Sequence, residues 1–287
     1  MTQIKTGLDE AYATAAEWIN AADSLVIGAG AGMGVDSGLP DFRGKHGFWR
    51  AYPALENESI GFTDIANPLA FYGRPRLAWG FYGHRLNLYR QTEPHAGYRI
   101  LLGWGEKMRY RYRVFTSNVD GHFLQAGFDE NAIHECHGSI HFLQCLEPCN
   151  TDIWSANSFI PDIDEERCYL RNKPPRCQRC GNISRPNILM FNDGDWIYER
   201  TRKQVIAQEQ WLESVAKPLV IEIGAGTAIP SVRHFSRRMQ KEYRAKLIRI
   251  NPDDAFSINE QSLTLPVGAL EALQKIAAMV EVQPGIC

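Results

Sequence analysis

An α/β fold built on a Rossmann-like, doubly wound parallel sheet is what this sequence predicts, with a helical insertion and a small cysteine-bearing module. Three observations carry the prediction. The apolar run Asp23 to Ile27 enters a glycine-rich stretch, GAGAGMGVDSGLPDFRG, at residues 28–44. A second apolar run, Pro218 to Ile223, ends the same way, in Gly224-Ala225-Gly226-Thr227. Between and around them, strand-like runs alternate with helix-patterned segments, the pattern of a parallel sheet covered on both faces.

The elements follow in order. Leu8, Tyr12, Ala15, Ile19 and Ala22 recur at helical spacing, so residues 8–22 read as an amphipathic helix. The first strand and its glycine loop come next. Residues 46–93 are crowded with aromatics and interrupted by Pro53, Pro68 and Pro75, which reads as a lid or subdomain of short helices. A helix is expected over 95–105, a strand over 111–116, a short helix over 121–126 and a further strand over 132–135. Asn187 to Phe191 is a short apolar run, followed by a helix over 201–215. The strand 218–223, a helix at 231–242, the strand 246–250 and a last helix at 267–280 close the chain. The 287 residues suit one domain spanning 1–287, with the helical insertion at 46–93 and the cysteine module at 140–186.

Bulk composition excludes several classes. Thirty-one basic residues nearly balance 33 acidic ones, so no charge excess points to nucleic acid. No apolar stretch reaches the roughly 18 residues of a membrane span, and Met1 to Glu10 lacks the apolar core of a signal peptide. The expectation is a soluble, cytoplasmic protein. An odd count of seven cysteines argues against a secreted disulfide scaffold.

Four of those cysteines form close pairs, Cys145/Cys149 and Cys177/Cys180. Four thiolates complete a tetrahedral zinc site, and each pair acts as one clip. With no further ligand candidate the site reads as structural zinc; ordinary packed cysteines are the alternative. Glycines that let backbone N–H groups converge at a strand end suit a phosphate, although a tight strand–helix turn needs glycine too. The polar run Thr116-Ser117-Asn118-Val119-Asp120 directly follows a strand, where sites gather in such sheets. His137, in Glu135-Cys136-His137-Gly138-Ser139, is a candidate general base. It is one of eight histidines, and His95, His122, His134 and His141 show nothing comparable in the sequence.

Taken jointly, these motifs resemble those of the sirtuins, the NAD-dependent protein deacylases, in a divergent bacterial-type form. Gly30-Ala31-Gly32 with Ser37-Gly38-Leu39-Pro40-Asp41-Phe42-Arg43 is similar to the family's GAG…SGIPxFR loop. Thr116 to Gly121 resembles its TQNIDG motif, and His137-Gly138 its catalytic His-Gly. Arg185-Pro186-Asn187-Ile188-Leu189-Met190-Phe191 resembles the RPDVVxFGE segment, and Ile248 to Asn251 the strand end at the adenosine ribose. The resemblance spans residues 20–280 in order.

It implies NAD and zinc as cofactors and an acylated lysine of a protein or peptide as substrate, with nicotinamide and O-acyl-ADP-ribose as products. Gly30, Ala31, Gly32, Gly224, Gly226, Thr227 and Asn251 would hold the cofactor's phosphates and adenosine. Asp41, Phe42, Arg43, Ser117, Asn118 and Asp120 would hold its nicotinamide ribose end, and His137 would take a ribose proton. Ile188, Leu189 and Phe191 would pair with the substrate backbone as a strand. Phe81-Tyr82-Gly83-His84-Arg85 resembles the FYxxR segment of members that prefer acidic acyl groups, so Tyr82 and Arg85 are candidate ligands of a succinyl or malonyl carboxylate. Departures from the family pattern cluster at these contacts: Gly34 for a serine, Ser117 for a glutamine, His122-Phe123 for Leu-His, Asn187 for an aspartate, and an altered second glycine loop. They leave NAD hydrolysis or ADP-ribosyl transfer as the alternative chemistry.

Overall fold

The computed structural model describes residues 2–40 and 44–280. Its strands, in chain order, are β1 (Ser24–Ala29), β2 (Tyr112–Thr116), β3 (Ile133–Glu135), β4 (Gly138–Cys145), β5 (Ile153–Ser155), β6 (Ile163–Asp164), β7 (Tyr169–Leu170), β8 (Ser184–Ile188), β9 (Pro218–Ile223), β10 (Lys246–Ile250), β11 (Ser257–Ile258) and β12 (Ser262–Leu265). The main sheet has the order β11-β12-β10-β9-β1-β2-β3 and is parallel except for edge strand β11. Numbered along the chain, its six parallel strands run 3-2-1-4-5-6, the doubly wound dinucleotide-binding order.

The central strands are apolar because both faces are covered. β1 and β9 are buried at every position. One face packs on the helices Thr2–Ala21, Ala96–Lys107 and Ala269–Ala277, where Tyr12, Ala15 and Ile19 of the first helix are buried as their spacing predicts. The other face packs on the helix Ser231–Tyr243 through Val232, Phe235 and Met239. Two pieces were not foreseen. β12 is only four residues long, and the β11–β12 hairpin lies in a segment with little apolar pattern.

Strand order reverses between β1 and β9, and there the two glycine loops meet. Gly32 N–H donates to Gly224 O at 3.0 Å, and Gly30 N–H to Ile223 O at 2.9 Å. A Cβ on Gly30 would lie 2.6 Å from Gly224 O, and one on Gly32 2.6 Å from Gly224 Cα. Gly224 adopts φ +60°, and its own Cβ would meet Gly32 at 2.4 Å. Backbone touches backbone, which only glycine allows. Gly28 lies inside β1, so the loop proper begins at Gly30 and continues as a 3-10 turn, Ala31–Ser37, rather than an α-helix.

Buried residues within 39–89, with the segment between β4 and β8, build one second core together. Pro53, Pro68 and Pro75 sit in the first turns of helices Pro53–Asn57, Pro68–Gly73 and Pro75–Gln91, so they start helices more than they interrupt them. The last of these runs for 17 residues, longer than the short helices expected. Its Trp79, Phe81 and Tyr82 share a core with Ile140 and Leu143 of β4, Phe159 and Leu170. Trp79 Nε1 donates to Ser184 O at 2.9 Å across this core. The helical insertion and the cysteine module are therefore packed as one body.

Gly224→Ala is expected to cost on the order of 2–3 kcal/mol, from left-handed strain plus the clash with Gly32. Gly226→Ala, with nothing within 4 Å of the added methyl, should stay within about 0.5 kcal/mol. Urea unfolding of the two variants measures the contrast.

Candidate active site

Four elements converge where the glycine loops meet. β2 delivers Ser117, Asn118 and Asp120. Ser117 N–H donates to Ala29 O at 3.1 Å, which aligns β2 with the end of β1. Asn118 Nδ2 donates to Gly30 O at 3.0 Å, so the side chain ties the strand end to the glycine loop. Asp120 is buried, and its Oδ1 accepts the His122 backbone N–H at 2.9 Å. The Ser117 hydroxyl turns back to Ala29 O, at 3.5 Å.

His137 sits in the turn from β3 to β4. Gly138 makes that turn possible: it has φ +77°, and a Cβ there would lie 2.1 Å from Asn187 O. His137 Nε2 lies 3.2 Å from Ser231 Oγ, and the Ser117 backbone hydrogen-bonds the ring. Burial lowers its pKa from the ordinary histidine value, while the Ser117 hydrogen bond pulls the other way. The ring is thus neutral at neutral pH, oriented from two sides and able to accept a proton. Its carbonyl accepts Leu189 N–H at 2.9 Å, which joins β4 to the segment after β8. Ile188 is buried at the end of β8, whereas Leu189 is exposed. The strand itself runs Ser184–Ile188, so Leu189 and Phe191 lie beyond it, in the turn that follows.

The second glycine loop is held from behind. Ala225 O accepts from Arg233 Nε at 2.9 Å and from Asn251 Nδ2 at 3.1 Å. Asn251 is therefore already engaged with the loop. Gly226 and Thr227 are exposed. Asp41, Phe42 and Arg43 lie outside the described residues.

Sequence reasoning passed over several participants. Ser231 is one; its partner is 94 residues away. The set-aside histidines form another group. His95 Nε2 lies 2.9 Å from Met33 O in the glycine-loop turn, and His141 Nε2 lies 2.7 Å from Asp120 O. His122 is fully buried between the rings of Tyr98, at 5.9 Å, and Tyr89, at 6.5 Å. Among the described residues no hydrogen-bond partner meets either His122 ring nitrogen or the Tyr98 hydroxyl. A cavity of about 380 Å³ adjoins them, lined by residues that include Asn118, Asp120, His122 and His141. The signal for His122 was present, since it is a polar residue where the resembled family carries leucine.

Tyr82 and Arg85 come together one helical turn apart, as expected. The Arg85 guanidinium lies 5.9 Å from the Tyr82 ring centre and 5.3 Å from that of Tyr89, and its Nε and Nη2 donate to Tyr89 Oη at 2.9 and 2.7 Å. Both side chains are buried.

The four paired cysteines also converge. Cys145 Sγ lies 3.5 Å from Cys180 Sγ, and Cys149 Sγ lies 3.7 Å from Cys177 Sγ. All four sulfurs fall within 4.8 Å of one another. Tetrahedral zinc with Zn–S bonds of about 2.3 Å needs sulfurs roughly 3.8 Å apart, so the set fits. Four thiols leave no open coordination position, which makes the fit that of a structural ion. Cys145 ends β4, and Cys177 to Cys180 form a turn closed by Gly181 N–H donating to Cys177 O at 2.9 Å.

A doubly wound α/β domain with interlocked glycine loops, a half-buried neutral histidine and a four-thiol clip defines the class. The model of the Sir2 family matches residues 30–227, and the chain belongs to that family. An NAD-dependent protein deacylase of Aquifex aeolicus is 28% identical over 231 residues, covering 80% of this chain and 84% of its own. One from Pyrococcus furiosus is 35% identical over 176 residues, 61% of this chain and 64% of its own. A probable bifunctional ADP-ribose hydrolase/ADP-ribosyltransferase of Fusarium oxysporum f. sp. cubense is 28% identical over 253 residues, 82% of this chain but 41% of its own. A solved Sir2 homologue–NAD complex shares the fold, with a TM-score of 0.69 at 23% identity over 93% of each chain.

Purified protein should contain about one zinc per chain, and a strong chelator should lower its melting temperature; a well-folded, zinc-free preparation would contradict the structural role. A second expectation concerns acid. Burial lowers His134 to about 4. From pH 6.5 downward the unfolded chain binds a proton that the native state refuses, so stability falls until about pH 4. The loss from this residue is about 3 kcal/mol at most. Urea unfolding at pH 7 and pH 4.5 should show a smaller acid loss in His134→Gln than in the parent.

Proposed function

We propose that this chain is an NAD-dependent protein-lysine deacylase. The observation that carries the reading is His137: neutral, oriented by Ser231 and the Ser117 backbone, and joined through its own carbonyl to Leu189. NAD, when bound, would supply an electrophilic ribose carbon for the acyl oxygen of the substrate, with nicotinamide as the leaving group. The protein's part is binding, orientation and one proton. The interlocked loops at Gly30 to Gly32 and Gly224 to Thr227, with the N-terminal end of the 3-10 turn, receive the phosphates. Asn118, already tied to Gly30, and buried Asp120 fix the nicotinamide ribose end. His137 accepts the ribose hydroxyl proton, with its pKa kept low by burial. Zinc would be held by Cys145, Cys149, Cys177 and Cys180, where it would brace the end of β4 as a structural ion.

The acyl-lysine peptide lies beside Leu189 and Phe191, within reach of His137. Its acyl group is acidic in this reading. A carboxylate-tipped chain would meet Arg85, a buried cation framed by the rings of Tyr82 and Tyr89, where low polarity strengthens a charge-assisted bond. The cytoplasm suits the thiols: Cys136, Cys145, Cys149, Cys168, Cys177 and Cys180 are unpaired by disulfides. Among the described residues no helix is long and apolar enough to cross a membrane.

The test is nicotinamide release from NAD with a panel of acetyl, succinyl, malonyl and longer acyl-lysine peptides. Release should require peptide, and His137→Ala should lower kcat/KM at least about 100-fold while NAD binding persists. Equal release without peptide, or ADP-ribose found on protein, would overturn the reading in favour of hydrolysis or transfer. Arg85→Met should reduce turnover of succinyl and malonyl peptides by roughly 10- to 100-fold and leave acetyl peptides within about twofold. Equal losses on both classes would remove the acidic-acyl assignment.

A further inference from the structure

The turn after β8 contains an ion pair with no access to water. Arg185 Nη1 and Nη2 donate to Asp193 Oδ2 and Oδ1 at 2.6 and 2.8 Å, and both side chains are wholly buried. Such a pair is weak evidence for stability, because desolvation offsets its attraction and apolar residues of similar volume often replace it without loss. Its surroundings suggest another use. Asp193 Oδ2 also accepts Met190 N–H at 3.2 Å, and Oδ1 accepts Asp195 N–H at 3.2 Å. Asn192, between them, takes φ +54°, which bends the chain sharply back. Leu189 N–H is held by His137 O and Phe191 N–H by Ala66 O, each at 2.9 Å.

Three consecutive N–H groups, at Leu189, Met190 and Phe191, are thus engaged by the protein itself. The segment is pinned to the catalytic histidine's backbone at one residue, to a helix end at another and to the buried carboxylate between them. The backbone of this segment is therefore held in one conformation beside His137.

We propose that the Arg185–Asp193 pair is a positioning device for the substrate peptide. It holds the backbone of Leu189 to Phe191 in register beside His137, so that an extended acyl-lysine peptide can lie along it as a strand. Arg185 and Asp193 are positioning residues, acting through Met190 and the turn. The inference rests on the deacylase reading and adds which residues set peptide affinity.

The double variant Arg185→Met/Asp193→Leu removes both charges and leaves neither partner stranded. It should fold, bind NAD and ADP-ribose as the parent does, and show a peptide KM at least tenfold higher, with kcat at saturating peptide within about threefold. A folded double variant whose peptide KM stays within twofold overturns the proposal. So does one that loses folding or NAD binding, since the pair would then be structural. Hydrogen exchange of the parent chain gives a second reading without any substitution. The Met190 amide should exchange slowly, at a rate comparable to its neighbours in β8; exchange at the rate of an exposed loop overturns the proposal. If the parent releases no nicotinamide with any acyl peptide, the deacylase reading itself has failed. If it does and only the double variant behaves like the parent, the positioning role alone has failed.

Discussion

Backbone contact between Gly32 and Gly224 is the constraint on which the site depends. The two residues lie 192 positions apart, yet neither can carry a Cβ because the other occupies its place. This contact sits at the one point where strand order reverses, so it closes the crevice floor that a doubly wound sheet offers a ligand. Everything around it is arranged by hydrogen bonds to the same loops. Ile250 O accepts Gly224 N–H, Asn118 holds Gly30, and Arg233 with Asn251 holds Ala225. Polar side chains here therefore do two jobs, fixing the loops and presenting what remains of their hydrogen-bonding capacity to the crevice. The departures at Ser117 and Gly34 fit this frame. The Ser117 hydroxyl reaches only to Ala29 O, and a Cβ on Gly34 would come within 3.0 Å of Leu39.

His137 links both bodies of the protein. Its ring is oriented by the Ser117 backbone at the end of β2 and by Ser231 at the start of a helix of the main domain. Its carbonyl is paired with Leu189 of the second body. A shift of one body against the other would move this ring relative to the glycine loops. The four-thiol clip, the shared aromatic core and the buried Arg185–Asp193 pair all act against such a shift. They brace β4 and β8, the strands that flank the histidine and the segment it holds.

Histidines withdrawn from solvent are a second theme. Buried His95 and His134 and half-buried His137 and His141 all have pKa values lowered chiefly by desolvation, so each is neutral in the native state at neutral pH. Neutral imidazole offers one donor and one acceptor, which suits short ties between elements: His95 to Met33, His134 to Gln208, His141 to Asp120. His122 departs from this pattern, with ring nitrogens that no described residue meets and an adjoining cavity that reaches Asp120.

Local pattern determined much of this protein. Strands 218–223 and 246–250 match the structure residue for residue, because an apolar run bounded by turn residues has one good reading in a parallel sheet. The glycine loops and the cysteine pairs were also legible, since two apolar runs end in glycine and four cysteines fall in two short-spaced pairs, and the structure brings each set together. Short elements escaped: β12 has too few residues to show a period, and the 3-10 turn 31–37 follows from loop packing more than from propensity. Tertiary structure alone decided the rest. It merged the helical insertion with the cysteine module, gave Ser231 and three passed-over histidines their partners, and paired Arg185 with Asp193 inside the protein. These are contacts whose energy depends on burial and on groups distant in the chain, and a linear pattern carries neither.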